Sequence, residues 1–133
     1  MVKDVGCTHI FTEKRRYWGA RGKCRSMDGD LAAPNNIADL QSYIQKYRTD
    51  NDVSQNSLLD NIWVGIRKNK TSLKWNWESG RKVESSEWLK RGGDGDDEPN
   101  GSGNCARLTG STYYVAEISC QTEYAFMCVI TPA

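Results

Sequence analysis

Residues 94–105, DGDDEPNGSGNC, set four carboxylates in five positions and then run through Pro99, Asn100, two glycines and Asn104 to a cysteine. The oxygens of Asp94, Asp96, Asp97, Glu98 and the two amides can converge on a metal ion, display charge to a partner, or form a solvated connection. Catalysis has less to draw on. His9 is the only histidine, it has no nucleophile in pattern with it, and no phosphate-cradling glycine motif follows a strand. The residues argue for binding and against an enzyme.

The cysteines are Cys7, Cys24, Cys105, Cys120 and Cys128. None forms a C-x-x-C pair, which leaves a zinc site poorly supported. Their wide spacing suits disulfides and therefore an oxidising compartment. Four cysteines can pair in three ways, with one left over. Lys+Arg number 18 and Asp+Glu 17, a balance that excludes strong generic attraction to nucleic acid or acidic membranes. No apolar run reaches membrane-spanning length. Met1-Val2-Lys3-Asp4 is polar and unlike a signal peptide, so a secreted form is expected to have lost its targeting segment. A chain of 133 residues reads as a single domain, 1–133.

The elements that must position the acidic loop follow from periodicity. CTHIFTEKRR reads as a short strand entering a helix, with Thr12 as N-cap. Tyr17, Ala20, Cys24 and Met27 share one helical face, and Lys14, Arg21 and Arg25 fall on another ridge. Six bases occupy residues 14–25. A solvated helix face is the plainer account of them, and a patch for sulfated glycans the sharper one. Gly29 stops this helix. A second helix starts from Asn35 or Asn36, with Ile37, Leu40, Ile44 and Tyr47 on its buried face. RTDNDVSQNS is a polar connection. NIWVGI reads as a buried strand, and LKWNWESG as an alternating one with Leu73, Trp75 and Trp77 on one face and a turn at Ser79-Gly80. SSEWLKRGGDGDDEPNGSGN is a long irregular stretch, of a kind usually functional. CARL, YYVAEISC and AFMCVI close the chain as three short strands. The order predicts an α+β domain.

This pattern resembles the C-type lectin-like domain, over residues 7–130. The resemblance is carried by YWGARGKC, GDLAAPNN, WVGI, WNWESG with EW, EPN, and the closing C…C…FMC. It implies two helices flanking small antiparallel sheets, a long irregular loop and two disulfides, Cys24–Cys128 and Cys105–Cys120. Cys7 stands outside that scheme, either free or joined to a second chain in a disulfide-linked dimer.

In sugar-binding relatives the long loop grips calcium, which takes six to eight oxygens, and the ion grips sugar hydroxyls. Glu98-Pro99-Asn100 resembles the mannose-type selector. Relatives carry Trp-Asn-Asp where this chain has Val115, Ala116 and Glu117, and a glutamate where it has Gly103. The implied Ca2+ ligands are therefore Glu98, Asn100, Glu117 and Asn104, with Asp96 and Asp97 nearby. Glu98 and Asn100 would also contact ligand, together with whichever of Tyr113 and Tyr114 points outward, since strand alternation turns one in and one out. The resemblance thus implies a secreted module, or the ectodomain of a membrane protein, binding mannose-type glycans through a modified calcium site. Calcium-independent protein binding by the same face is the alternative. Ice or crystal-surface binding rests on the fold's versatility alone. Asn69-Lys70-Thr71 and Asn100-Gly101-Ser102 are glycosylation sequons; a glycan on Asn100 would block the calcium site.

Overall fold

Strand β1 (Cys7–Arg15) runs without a break to the start of helix α1 (Tyr17–Ser26). Thr12 therefore lies within the strand. The helix begins after Arg16, which makes no side-chain cap. Lys14 belongs to β1, so the expected helical ridge keeps only Arg21 and Arg25. The computed structural model describes residues 7–34, 36–50, 59–89, 103–109 and 113–130. Tyr17, Ala20 and Cys24 are buried as their spacing predicts. The helix ends in a tight turn with Asp28 at φ 61°, and Gly29 opens strand β2 (Gly29–Leu31).

Helix α2 (Ile37–Asp50) is capped by Asn36, whose Oδ1 accepts from the Ala38 N–H at 2.9 Å. It extends through Arg48-Thr49-Asp50, residues expected in the following connection. Strand β3 (Asn61–Lys68) is central, and β4 (Trp75–Trp77), β5 (Cys105–Thr109), β6 (Tyr114–Ile118) and β7 (Tyr124–Ile130) complete the set. The strands join in one sheet, ordered β1-β7-β3-β5-β6, with β2 on β7 and β4 on β3. The β3–β7 pair is parallel and the other strand pairs are antiparallel, so the sheet is mixed. Leu73 departs from its expected place beside Trp75 and Trp77: it sits in the preceding turn at φ 60° and is 66% exposed. Gly80, at φ 97°, makes the expected turn after β4, a conformation that favours glycine.

NIWVGI reads as a continuous apolar run because both faces of β3 are covered. Ile62, Val64 and Ile66 point toward α2 with Leu40, Ile44, Ala106, Leu108 and Met127. Trp63 points the other way, into a cluster with Tyr17, Ala20, Cys24, Leu31 and Phe126. The indole N–H of Trp63 donates to the Arg15 carbonyl at 2.8 Å, which satisfies its one polar atom in that core. Cys24–Cys128 ties α1 to β7, and Cys105–Cys120 ties β5 to the β6–β7 turn. Both are the pairings implied above.

Candidate recognition face at the roots of the long loop

Both described roots of the long loop are fastened to β6. The chain leaves β4 through Val83 and a single 3-10 turn, Ser85–Glu87. Trp88 then bridges to Val115 and packs edge-on against Trp75, centroids 5.2 Å apart. The Leu89 N–H donates to the Val115 carbonyl at 2.8 Å. The departure is held by charge as well: Arg81 pairs with the buried Glu87 at 2.9 Å, and the Trp77 indole N–H donates to the same carboxylate at 3.3 Å. On return, the Asn104 carbonyl accepts from the Lys68 N–H at 3.0 Å, and Cys105 enters β5 with its disulfide. Asp94, Asp96, Asp97, Glu98 and Asn100, the acidic centre of the expected site, lie outside the described residues.

The remaining expected metal positions can be placed. Glu117 is 2% exposed and pairs across the sheet with Ala106, on the face toward α2. Ala116 is fully buried and pairs with Arg107, so it shares the opposite face. The Arg107 guanidinium donates to the Glu117 carbonyl at 2.7 Å and to Asn61 Oδ1 at 2.9 Å. A fixed cation thus stands beside the strand where the resemblance places metal ligands. Gly103 lies hard against the end of β6: a Cβ there would come within 2.2 Å of the Ile118 carbonyl carbon and oxygen and 2.6 Å of the Ser119 nitrogen. The backbone leaves no room for the glutamate that relatives carry. Asn104 is exposed. Among the described residues no three His, Cys, Asp or Glu side chains group as a metal site, and the described donors do not make up the family's calcium set.

Tyr113 is the inward member of its pair, 1% exposed. Its hydroxyl donates to the Leu59 carbonyl at 2.7 Å and accepts from Arg48 at 2.5 Å. Burial raises the phenol above its ordinary value despite the Arg48 hydrogen bond and charge. Tyr113 is thus a packing residue and not a ligand contact. Tyr114 is half-exposed. Cys7, half-buried at the start of β1, is outside both disulfides.

Two features went unmarked in the sequence. Glu78, after β4, accepts from the Tyr17 hydroxyl and from Arg67 at 2.7 and 3.1 Å, with Arg21 3.5 Å away. Burial alone would raise this carboxyl. The hydrogen bonds and charges of Arg67, Tyr17 and Arg21 outweigh burial and hold it below the ordinary carboxylate range. The second feature is Trp18, 51% exposed. Its signal was available: one residue past Tyr17, it turns about 100° off the buried helical face.

The family model of the lectin C-type domain matches residues 13–130. The chain belongs to the C-type lectin domain family. Human lithostathine-1-alpha is 28% identical over 127 residues, covering 90% of this chain and 69% of that protein. Lymphocyte antigen 75 of Mesocricetus auratus is 24% identical over 126 residues, 92% of this chain but 7% of that protein. Among solved structures, ovocleidin-17 of the Gallus gallus eggshell calcified layer superposes with a TM-score of 0.74 at 22% identity, covering 96% of this chain and 93% of that one. As a C-type lectin domain, the chain has the architecture the resemblance implied, with two helices, a sheet and two disulfides, on a fold typically used for recognition of carbohydrate or protein.

Proposed function

We propose that this C-type lectin domain is an extracellular recognition module, not an enzyme, and that it binds a protein ligand on its long-loop side without calcium. The observation that carries the reading is the contact of Gly103 with the Ile118 backbone. It bars a side-chain ligand at one of the family's calcium positions, while Ala116 offers no oxygen at another. Arg107, hydrogen-bonded to the β6 carbonyls at 116 and 117, adds positive charge where a divalent ion would need to sit. Tyr114 is the described side chain best suited to contact, since tyrosine joins a large apolar area to a polar tip. Two disulfides in a domain of this size support an oxidising compartment, hence a secreted protein or an ectodomain. Among the described residues no helix is long and apolar enough to cross a membrane.

A second reading is favoured by Glu98-Pro99-Asn100 itself. In it those residues, with Glu117, Asn104, Asp96 and Asp97, hold Ca2+ in altered geometry and select mannose-type glycans. Calorimetric titration with calcium, repeated with mannose present, separates the two. No heat of binding at millimolar calcium, together with mannose indifference, supports the calcium-free reading. Calcium binding abolished by Glu98→Ala, with mannose binding that chelator removes, overturns it in favour of the second.

A further inference from the structure

Trp18 stands between two open clefts. One, of about 570 Å³, is lined by Arg67, Lys68 and Lys70 together with Asn69, Asn104 and Gln121, and among the described residues no carboxylate lines it. The other, of about 590 Å³, is lined by Lys14, Arg15 and Arg16, with Glu13 and Glu123. Trp18 and Gln121 border both, so the indole forms a ridge across a basic trough. Two of the six cations are neutralised locally: Arg15 by Glu13 at 2.5 Å and Arg67 by Glu78 at 2.7 Å. Among the described residues no carboxylate lies within ion-pairing distance of Lys14, Arg16, Lys68 or Lys70. The Arg67 guanidinium lies 4.8 Å over the indole, fixed from behind by Glu78, and holds the ring in place.

We infer that this trough is a binding site for a linear sulfated polysaccharide, separate from the long-loop face and independent of calcium. Three physical points select that ligand. Its charge must be repeated, because cations with no carboxylate partner among the described residues lie on both sides of the ridge, Lys68 with its ammonium 5.9 Å over the Trp75 ring. It must offer a flat apolar face, because a large exposed indole gains by covering one, as the C–H face of a pyranose does. And it must occur where disulfides persist, which favours extracellular sulfated sugars over nucleic acid. The near-neutral net charge of the chain makes a localised site, not overall attraction, the source of affinity.

The test is calorimetry of the full chain with a heparin octasaccharide, in EDTA, at two salt concentrations. Binding should survive chelation, weaken with salt, and fall about tenfold in Trp18→Ala and about tenfold in the Lys68→Gln/Lys70→Gln double variant. The Lys46→Gln/Lys82→Gln variant, whose charges lie elsewhere, should bind as wild type. Melting curves of each variant confirm that the fold is retained, and the lysine variants leave Trp18 packing intact should Trp18→Ala destabilise. No binding by wild type at physiological salt, equal loss in the control variant, or equally tight binding of a size-matched single-stranded DNA overturns the inference. Glu98→Ala should leave heparin binding unchanged, so failure here and failure of the calcium-free reading are distinguishable.

Discussion

Alanine at Gly103 and alanine at Gly22 should move stability in opposite directions, although the chemical change is the same. In α1, a Cβ at Gly22 meets nothing within 4 Å. Replacing a helical glycine there reduces the entropy of the unfolded chain and should stabilise by about 0.5–1 kcal/mol. At Gly103 the added carbon would stand 2.2 Å from the carbonyl carbon and oxygen of Ile118. Those atoms are backbone, held by β6 pairing and by the Cys105–Cys120 bridge, and cannot rotate away as a side-chain tip could. Overpacking of this kind costs about 1–3 kcal/mol, and the rigidity of the neighbours puts Gly103→Ala at the upper end. At about 4 °C per kcal/mol for a domain of this size, Gly103→Ala should melt roughly 8–12 °C below wild type and Gly22→Ala about 2–4 °C above it. Calorimetry with the disulfides intact, checked by urea midpoints, reads both. Gly103→Ala melting at or above wild type, with the fold retained, refutes the close approach and with it the main argument against a calcium ligand at that position.

Glu78 should govern acid stability. Its carboxyl is held below the ordinary value when folded, so its contribution is present above the unfolded value of about 4.3 and is lost as pH falls through the folded one; Glu78→Gln should be less stable at pH 7 and show a flatter acid slope, and an unchanged slope would sink the assignment. Cys24–Cys128 spans 104 residues and Cys105–Cys120 spans 15, so double serine variants should lose about 4.7 and about 3 kcal/mol respectively in the chain-entropy account; the reverse order in urea unfolding would contradict it. Cys7→Ser should keep unfolding within about 0.5 kcal/mol of wild type and abolish any dimer seen on non-reducing gels, whereas a dimer that persists would rule out Cys7 as its link.

Local pattern was enough for most of the elements. Tyr17, Ala20 and Cys24, and Leu40 and Ile44, announce their buried helical faces through a 3.6-residue period, and NIWVGI announces a strand covered on both sides. The order of motifs led to the family and to both disulfides. Boundaries were less legible: β1 runs past Thr12 because, after an irregularity beyond Phe11, pairing with β7 resumes at Arg15 opposite Tyr124, and Leu73 leaves its apparent strand because the turn at Asn69 takes it to positive φ. Pairings between distant segments have no local signature. Arg67 and Glu78 are unremarkable surface types until the β3–β4 hairpin and α1 bring them together with Tyr17. Gly103 reads as a loop glycine until β6 closes against it, and the basic residues 14–16 come beside Arg67, Lys68 and Lys70 only because α1 sets Trp18 between them. Side-chain type and period settle which face each segment buries. Which unburied residues become neighbours depends on contacts across the chain, and those exist only once the sheet has formed.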